Sequence, residues 1–317
     1  MVSVLQSTFT VIISAEFIIG NLGNGFITLV NCIDWVKRRK ISLADGILTA
    51  LAISRLGLLW LIFVNWCVSV FYPALFVTGK FLRMANNIWT VTNHFSIWFA
   101  TSLSIFYFLK IANYSNSIFL SLKWRVKKVV SMILLVTLVF LCFNIALINV
   151  HVNDWIDAFK RNTTCSSWIH NFVLFSSLLI LTVAMFTLVP FTLSLTTLLL
   201  LIFSLWKHLK KRQHKAQGSS DIRTKAHIQA IYSVTSFLLL YAIYFMSLFM
   251  PASSSDWQEK SMIITLCQVI GIIYPSCHSF ILILGNNKLR QASLSVLWQL
   301  RRRFESGEPF RGSFCIF

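Results

Sequence analysis

Arg55 stands in the run Leu51-Ala52-Ile53-Ser54-Arg55, and no other charged residue occurs between Asp45 and Lys80. A guanidinium keeps its charge and needs acceptors, so a position like this must be supplied from elsewhere in the chain. Asn24, also inside an apolar run, can accept from it and is the partner expected. Such a group can clamp segments together or serve as a switch between two arrangements, and both readings stand. A second pattern is Asn86, Trp89, Thr90, Asn93 and Ile97, whose three- and four-residue steps place them on one face of a helix. An aromatic beside two amides suits a cavity with apolar walls and a few polar groups that orient a small molecule. The alternative is that the amides hydrogen-bond neighbouring helices.

Catalytic patterns do not occur. The sequence has no HExxH, no GxSxG, no Walker A and no His, Cys and carboxylate cluster at metal-ligand spacing. Neither an enzyme nor a cofactor or metal site is therefore expected. His94 and His278 are lone histidines in apolar runs and read as satisfied structural groups. Gly20-Asn21-Leu22-Gly23-Asn24-Gly25 is not GxGxxG and reads as a close helix contact rather than a phosphate cradle. The seven cysteines are odd in number and form no CxxC pair, which gives no disulfide framework.

The elements that must position these residues follow from composition. Of 317 residues 56% are hydrophobic and only 12% charged, with a mean hydropathy of +0.73. A soluble domain carries about twice that charged fraction. The net charge of +18 would suit nucleic acid, but a soluble nucleic-acid binder could not hide so much apolar surface. Seven stretches reach the roughly 20 apolar residues that span a bilayer. They lie near 7–31, 46–71, 86–109, 129–149, 174–206, 230–250 and 261–284. Only Glu16 and Arg55 interrupt them. Arg55 near mid-membrane costs about 2.5–3.5 kcal/mol on insertion scales, so it should face the interior of a bundle. Glu16, nearer the outer end of its helix, is expected to reach water. Pro190 and Pro275 predict local kinks.

Of the 28 Lys and Arg residues, 22 fall on the odd-numbered connections and the tail, and five on the even-numbered connections. Positive residues stay cytoplasmic, which puts the N-terminus outside and the C-terminus inside. No cleavable signal is expected, because Met1 to Thr10 lacks a basic region. Asn162-Thr163-Thr164 is then a glycosylation sequon on the outer side. After Gly285 the chain alternates Leu289, Val296, Leu297, Leu300 and Phe304 with Lys288, Arg290 and Arg301 to Arg303, a basic amphipathic helix for the inner leaflet. The fold class is thus an all-α integral membrane protein: a seven-transmembrane-helix bundle over 1–285, with a short amphipathic eighth helix and tail over 286–317 on the cytoplasmic side.

Several long segments carry a resemblance. They are Leu48-Thr49-Ala50-Leu51-Ala52-Ile53-Ser54-Arg55, Phe106-Tyr107-Phe108-Leu109-Lys110-Ile111-Ala112-Asn113, Pro190-Phe191-Thr192-Leu193-Ser194-Leu195, and His278-Ser279-Phe280-Ile281-Leu282-Ile283-Leu284-Gly285-Asn286. With them, and with no DRY or NPxxY, the chain resembles the bitter taste receptors, the taste receptor type 2 family of G-protein-coupled receptors. The resemblance implies a plasma-membrane receptor for small bitter agonists. Their pocket would lie between spans three, five, six and seven. Trp89 would be an aromatic wall, Asn93 an orienting group, and Phe186, Tyr241, Tyr244 and Gln268 the remaining sides, with Thr90 on the same stripe and Trp66 nearby. Asn24, Arg55, Tyr107 and His278 would form an activation network. The implied partner is a heterotrimeric G protein, gustducin or a related inhibitory type, acting through phospholipase C and calcium. Membrane lipid, sterol among it, and a second receptor chain are the other partners considered; nucleic acid is not. The competing readings are a receptor of the same fold for an endogenous lipid or sterol, and a seven-span small-solute transporter.

Overall fold

The computed structural model describes residues 2–72, 75, 79–112, 114–161, 182, 186–207, 210, 222–247 and 257–306. Their regular structure is entirely helical. In chain order the helices are α1 (Val2–Arg38), α2 (Leu43–Phe71), α3 (Gly79–Ile111), α4 (Ser117–Trp124), α5 (Val126–Arg161), α6 (Phe186–Lys207), α7 (Ile222–Ser247), α8 (Trp257–Gly285) and α9 (Asn287–Ser306). All but α4 and α9 are long and apolar enough to cross a membrane, which makes seven spans among the described residues.

Helices α1 and α5 overrun their apolar runs by several residues at both ends, because a helix can continue into polar surroundings where its last groups find partners. Lys37 and Arg38 close α1 at the end where its carbonyls are free. Ser42 Oγ accepts from Asp45 N at 3.0 Å to open α2. Asn286 Oδ1 accepts from Lys288 N at 3.0 Å and Leu289 N at 3.3 Å, which caps α9 and separates it from α8.

Burial is distributed as lipid requires rather than as water would. Leu135, Phe143, Leu199 and Leu239 are exposed on the outer faces, whereas Asn24, Arg55, Asn93, Thr101, Ser194 and His278 are buried. In hydrocarbon there is no water to satisfy polar groups, so they turn inward and pair with one another. Helix α3 is the centre of the arrangement, packing on α2, α5 and α7, while α1 packs on α2 and α8. Thr101 Oγ1 of α3 receives a hydrogen bond from Ser194 Oγ at 3.1 Å and itself donates to the Pro190 carbonyl at 3.4 Å, which fastens α6 to α3.

The α1–α8 contact rests on small residues. A Cβ on Gly20 would strike Ser276 Oγ and Leu59, and one on Gly23 would strike Ser279, whereas one on Gly25 would meet nothing within 4 Å. Two glycines of the Gly20–Gly25 segment therefore let α1 and α8 approach closely. Near them Glu16 is half-buried, and its Oε2 has no hydrogen-bond partner among the described residues.

At the arginine- and lysine-rich end, Tyr114 donates to the Leu200 carbonyl at 2.7 Å, tying the connection after α3 to α6. Burial pushes that hydroxyl above its usual pKa, so it stays a donor. Helix α9 is anchored by Lys288, whose Nζ lies 2.7 Å from Asp34, 3.3 Å from Asp45 and 3.1 Å from Asn31 Oδ1. The sequence placed Lys288 on the polar face of an amphipathic helix. It is instead the pin that holds that helix to α1 and α2.

Candidate functional site

A narrow cleft lies between α3, α5 and α6. Helix α3 contributes Trp89, Thr90, Asn93, His94, Ile97 and Trp98, which are two adjoining rows at four-residue steps. Asn144 enters from α5, and Phe186, Thr187 and Pro190 from α6. Trp98 stacks on Phe140 with centroids 6.4 Å apart, and Phe140 meets Phe186 edge-on at 6.4 Å, so the aromatic wall of Trp98 and Phe186 is joined through a third ring that is not itself part of the lining.

Four of the eight residues read as ligand-binding line this cleft: Trp89, Thr90, Asn93 and Phe186. Tyr244 stands behind it and donates from its hydroxyl to Asn93 Oδ1 at 3.3 Å. Tyr241 is buried between α6 and α7, donating to the Thr187 carbonyl at 3.1 Å. Trp66 belongs to a separate cluster with Ile13, Leu59 and Ile272. Gln268 lies on α8, but its side chain falls outside the described residues, as does the whole of Asn162. The fourth span, which the resemblance did not include, supplies Asn144, and spans six and seven stand one layer back.

Below the cleft lies a buried ionic centre. Arg55 Nη2 is 2.6 Å from His278 Nδ1 and donates to the Tyr274 hydroxyl at 3.3 Å. The Arg55 guanidinium also sits 5.0 Å from the centroid of the Tyr274 ring. All three side chains are essentially inaccessible. Asn24, the partner expected for Arg55, spends its amide elsewhere, donating to Gly20 O at 2.8 Å and to Pro275 O at 3.1 Å. It thus ties α1 to α8 beside the arginine. Tyr107 reaches Ser233 of α7.

Stacked rings join the two sites. Tyr244 stacks on Tyr274 at 5.8 Å and Tyr274 on His278 at 6.5 Å, while Phe237 and Tyr241 stack at 5.6 Å alongside. A path of direct contacts therefore runs from Asn93 in the cleft through Tyr244 and Tyr274 to Arg55 and His278. Tyr274 went unremarked in the sequence. Its one signal was a position four residues before His278, on the same helical face.

Among the described residues no group of His, Cys, Asp and Glu could hold a metal ion. The described cysteines, Cys32, Cys67, Cys142, Cys267 and Cys277, are all unpaired.

Comparison with known proteins gives a consistent result. The family model described as "Taste receptor protein (TAS2R)" matches residues 1–301. The chain is 63% identical over 309 residues to "Taste receptor type 2 member 14" of Homo sapiens, covering 98% of this chain and 97% of that one. It is 62% identical, with the same coverage, to the protein of that name from Pongo pygmaeus. It is 51% identical over 304 residues to "Taste receptor type 2 member 140" of Rattus norvegicus, covering 96% of this chain and 97% of that one.

Proposed function

Because the chain belongs to the taste receptor protein (TAS2R) family, a family of receptors rather than enzymes, we propose that it binds small, mostly apolar bitter compounds in the α3–α5–α6 cleft. On this reading it signals through gustducin or a related inhibitory-type G protein to phospholipase C and calcium. The observation that carries the reading is the contact path from Asn93 to Arg55. An agonist shifts a receptor only if it binds the active arrangement better than the resting one. A ligand that competes for the Asn93 amide replaces the Tyr244 bond, worth about 1 kcal/mol, and frees the ring stacked on Tyr274. Tyr274 shares Arg55 with His278, so its displacement alters the contact between α2 and α8 at the centre of the bundle.

The basic residues support an inner face at the end that carries Lys37 to Lys40, Lys123 to Lys128 and α9. That face would lie at the plasma membrane's cytoplasmic side and meet both the G protein and anionic lipid, the latter at about 1 kcal/mol per basic residue near the surface. The 286–317 segment is then an amphipathic membrane-surface unit outside the 1–285 bundle.

The test is agonist-dependent calcium release in cells supplied with gustducin. Trp89→Ala and Asn93→Ala are expected to abolish the response or shift it to higher concentration by roughly ten-fold or more at unchanged surface expression, the scale of losing an aromatic wall or a buried hydrogen bond. Full responses of both variants to every agonist would overturn the site.

A further inference from the structure

The aromatic wall accounts for the apolar half of the cleft, but its polar groups are not all accounted for. Thr90 donates to the Asn86 carbonyl at 2.7 Å, and Asn93 Oδ1 accepts from Tyr244. Two others differ. His94 is 6% exposed and Asn144 7%, and both line the cleft. Neither His94 Nε2 nor Asn144 Oδ1 has a hydrogen-bond partner among the described residues. Buried polar atoms are nearly always paired, because leaving water without a replacement partner is unfavourable.

The chemistry of the two orphans is the same. The His94 ring bonds the backbone of Thr137 on α5. A ring nitrogen that meets a carbonyl must carry the proton, which leaves the opposite nitrogen of the neutral imidazole as an acceptor. The Asn144 carbonyl oxygen can only accept. Two residues that line the cleft, one from each of two neighbouring helices, therefore carry an acceptor that no described residue bonds. Trp98 lies beside His94 at 6.1 Å between centroids, and Phe140 is one helical turn from Asn144, so an aromatic surface borders the acceptors.

We propose that His94 and Asn144 form a donor-reading subsite, selecting agonists that carry a hydroxyl or N–H on a flat, mainly apolar frame. The proposal rests on the reading of the cleft as the ligand site. A ligand whose only polar atoms are acceptors leaves both groups buried and unpaired, and it also brings lone pairs against lone pairs. Sites built around hydrogen bonds reject analogues that lack the matching group more strongly than apolar pockets reject a change of size.

The experiment is a calcium screen of the full-length receptor with phenol-bearing compounds, each paired with its O-methyl ether. The phenol member is expected to be more potent by roughly ten-fold, the scale of one buried hydrogen bond. In His94→Phe and Asn144→Leu that advantage should shrink to less than about three-fold. His94→Gln, which keeps an acceptor, should keep the advantage. Should one variant fail to reach the surface, the native comparison and the other position decide. A screen in which no phenol is an agonist, equal potency of phenol and ether, or an advantage that survives both substitutions overturns the subsite. If Trp89→Ala still weakens both members in that case, the cleft reading stands. If Trp89→Ala leaves both members unaffected, cleft and subsite fall together.

Discussion

Arg55 meets an imidazole and a phenol rather than a carboxylate, and this decides what each partner contributes. Its Nη2 alone donates to Tyr274 and contacts His278 Nδ1, Nε and Nη1 having no partner among the described residues, while the guanidinium lies near the Tyr274 ring. Lysine would keep the charge but lose the reach of Nη2 and much of the ring contact. Tyr274→Phe would remove only the hydroxyl and keep the stack. We expect Tyr274→Phe to cost about 1 kcal/mol and Arg55→Lys about 1–3 kcal/mol, read as melting temperatures of the detergent-purified receptor. The opposite order would show that the hydroxyl, not the guanidinium geometry, holds the centre. The sequence marked Arg55 as interior-facing because hydrocarbon cannot tolerate it otherwise. It could not name the partners, since Asn24 and His278 are equally able to bond a guanidinium and only helix placement chooses between them. His94 and Asn144 show the same limit. Each is an ordinary polar residue in an apolar run until the fold puts both on one cleft.

At the scale of elements, approach distance is set by what lacks a side chain. A Cβ on Gly23 would sit 3.1 Å from Ser279 Cβ and closer still to its hydroxyl, which is committed to the Ser276 carbonyl at 2.6 Å. Gly25, two residues on, faces open space. Gly23→Ala is therefore expected to push α1 from α8, disturb the Asn24 bond to Pro275 and cut surface expression several-fold, as overpacking by one methyl costs roughly 1–3 kcal/mol. Gly25→Ala should leave surface expression at the native level. Flow cytometry of tagged receptors checks both, and equal effects would refute the packing account. The close contact was legible in the Gly20–Gly25 spacing, but which glycines make it was not, because that depends on the rotation of α1 about its axis. Lys288 illustrates the same point: its charge was legible, while its bonds to Asp34, Asp45 and Asn31 required α1, α2 and α9 to converge.

For the whole molecule, the net charge of +18 is a matter of distribution rather than amount. With 22 basic residues on one set of connections and five on the other, the N-terminus and the connection bearing Asn162 are expected outside. Asn162→Gln should then abolish a glycosidase-sensitive mobility shift of the receptor in mammalian cells. A glycan that persists in that variant, or one attached at Asn113, would contradict the orientation. Span number, expected orientation and the inward turn of Arg55 follow from sequence alone, because lipid imposes the same rule on every residue: apolar groups outward, backbone paired within helices, charge at the ends. The family was also legible, carried by long ungapped segments. What the tertiary structure decided was adjacency: the cleft between α3, α5 and α6, the displacement of Trp66 to another cluster, and the stacked path through Tyr274. These depend on the rotation and crossing of helices, which side-chain packing sets and which apolar periodicity within a single span does not encode.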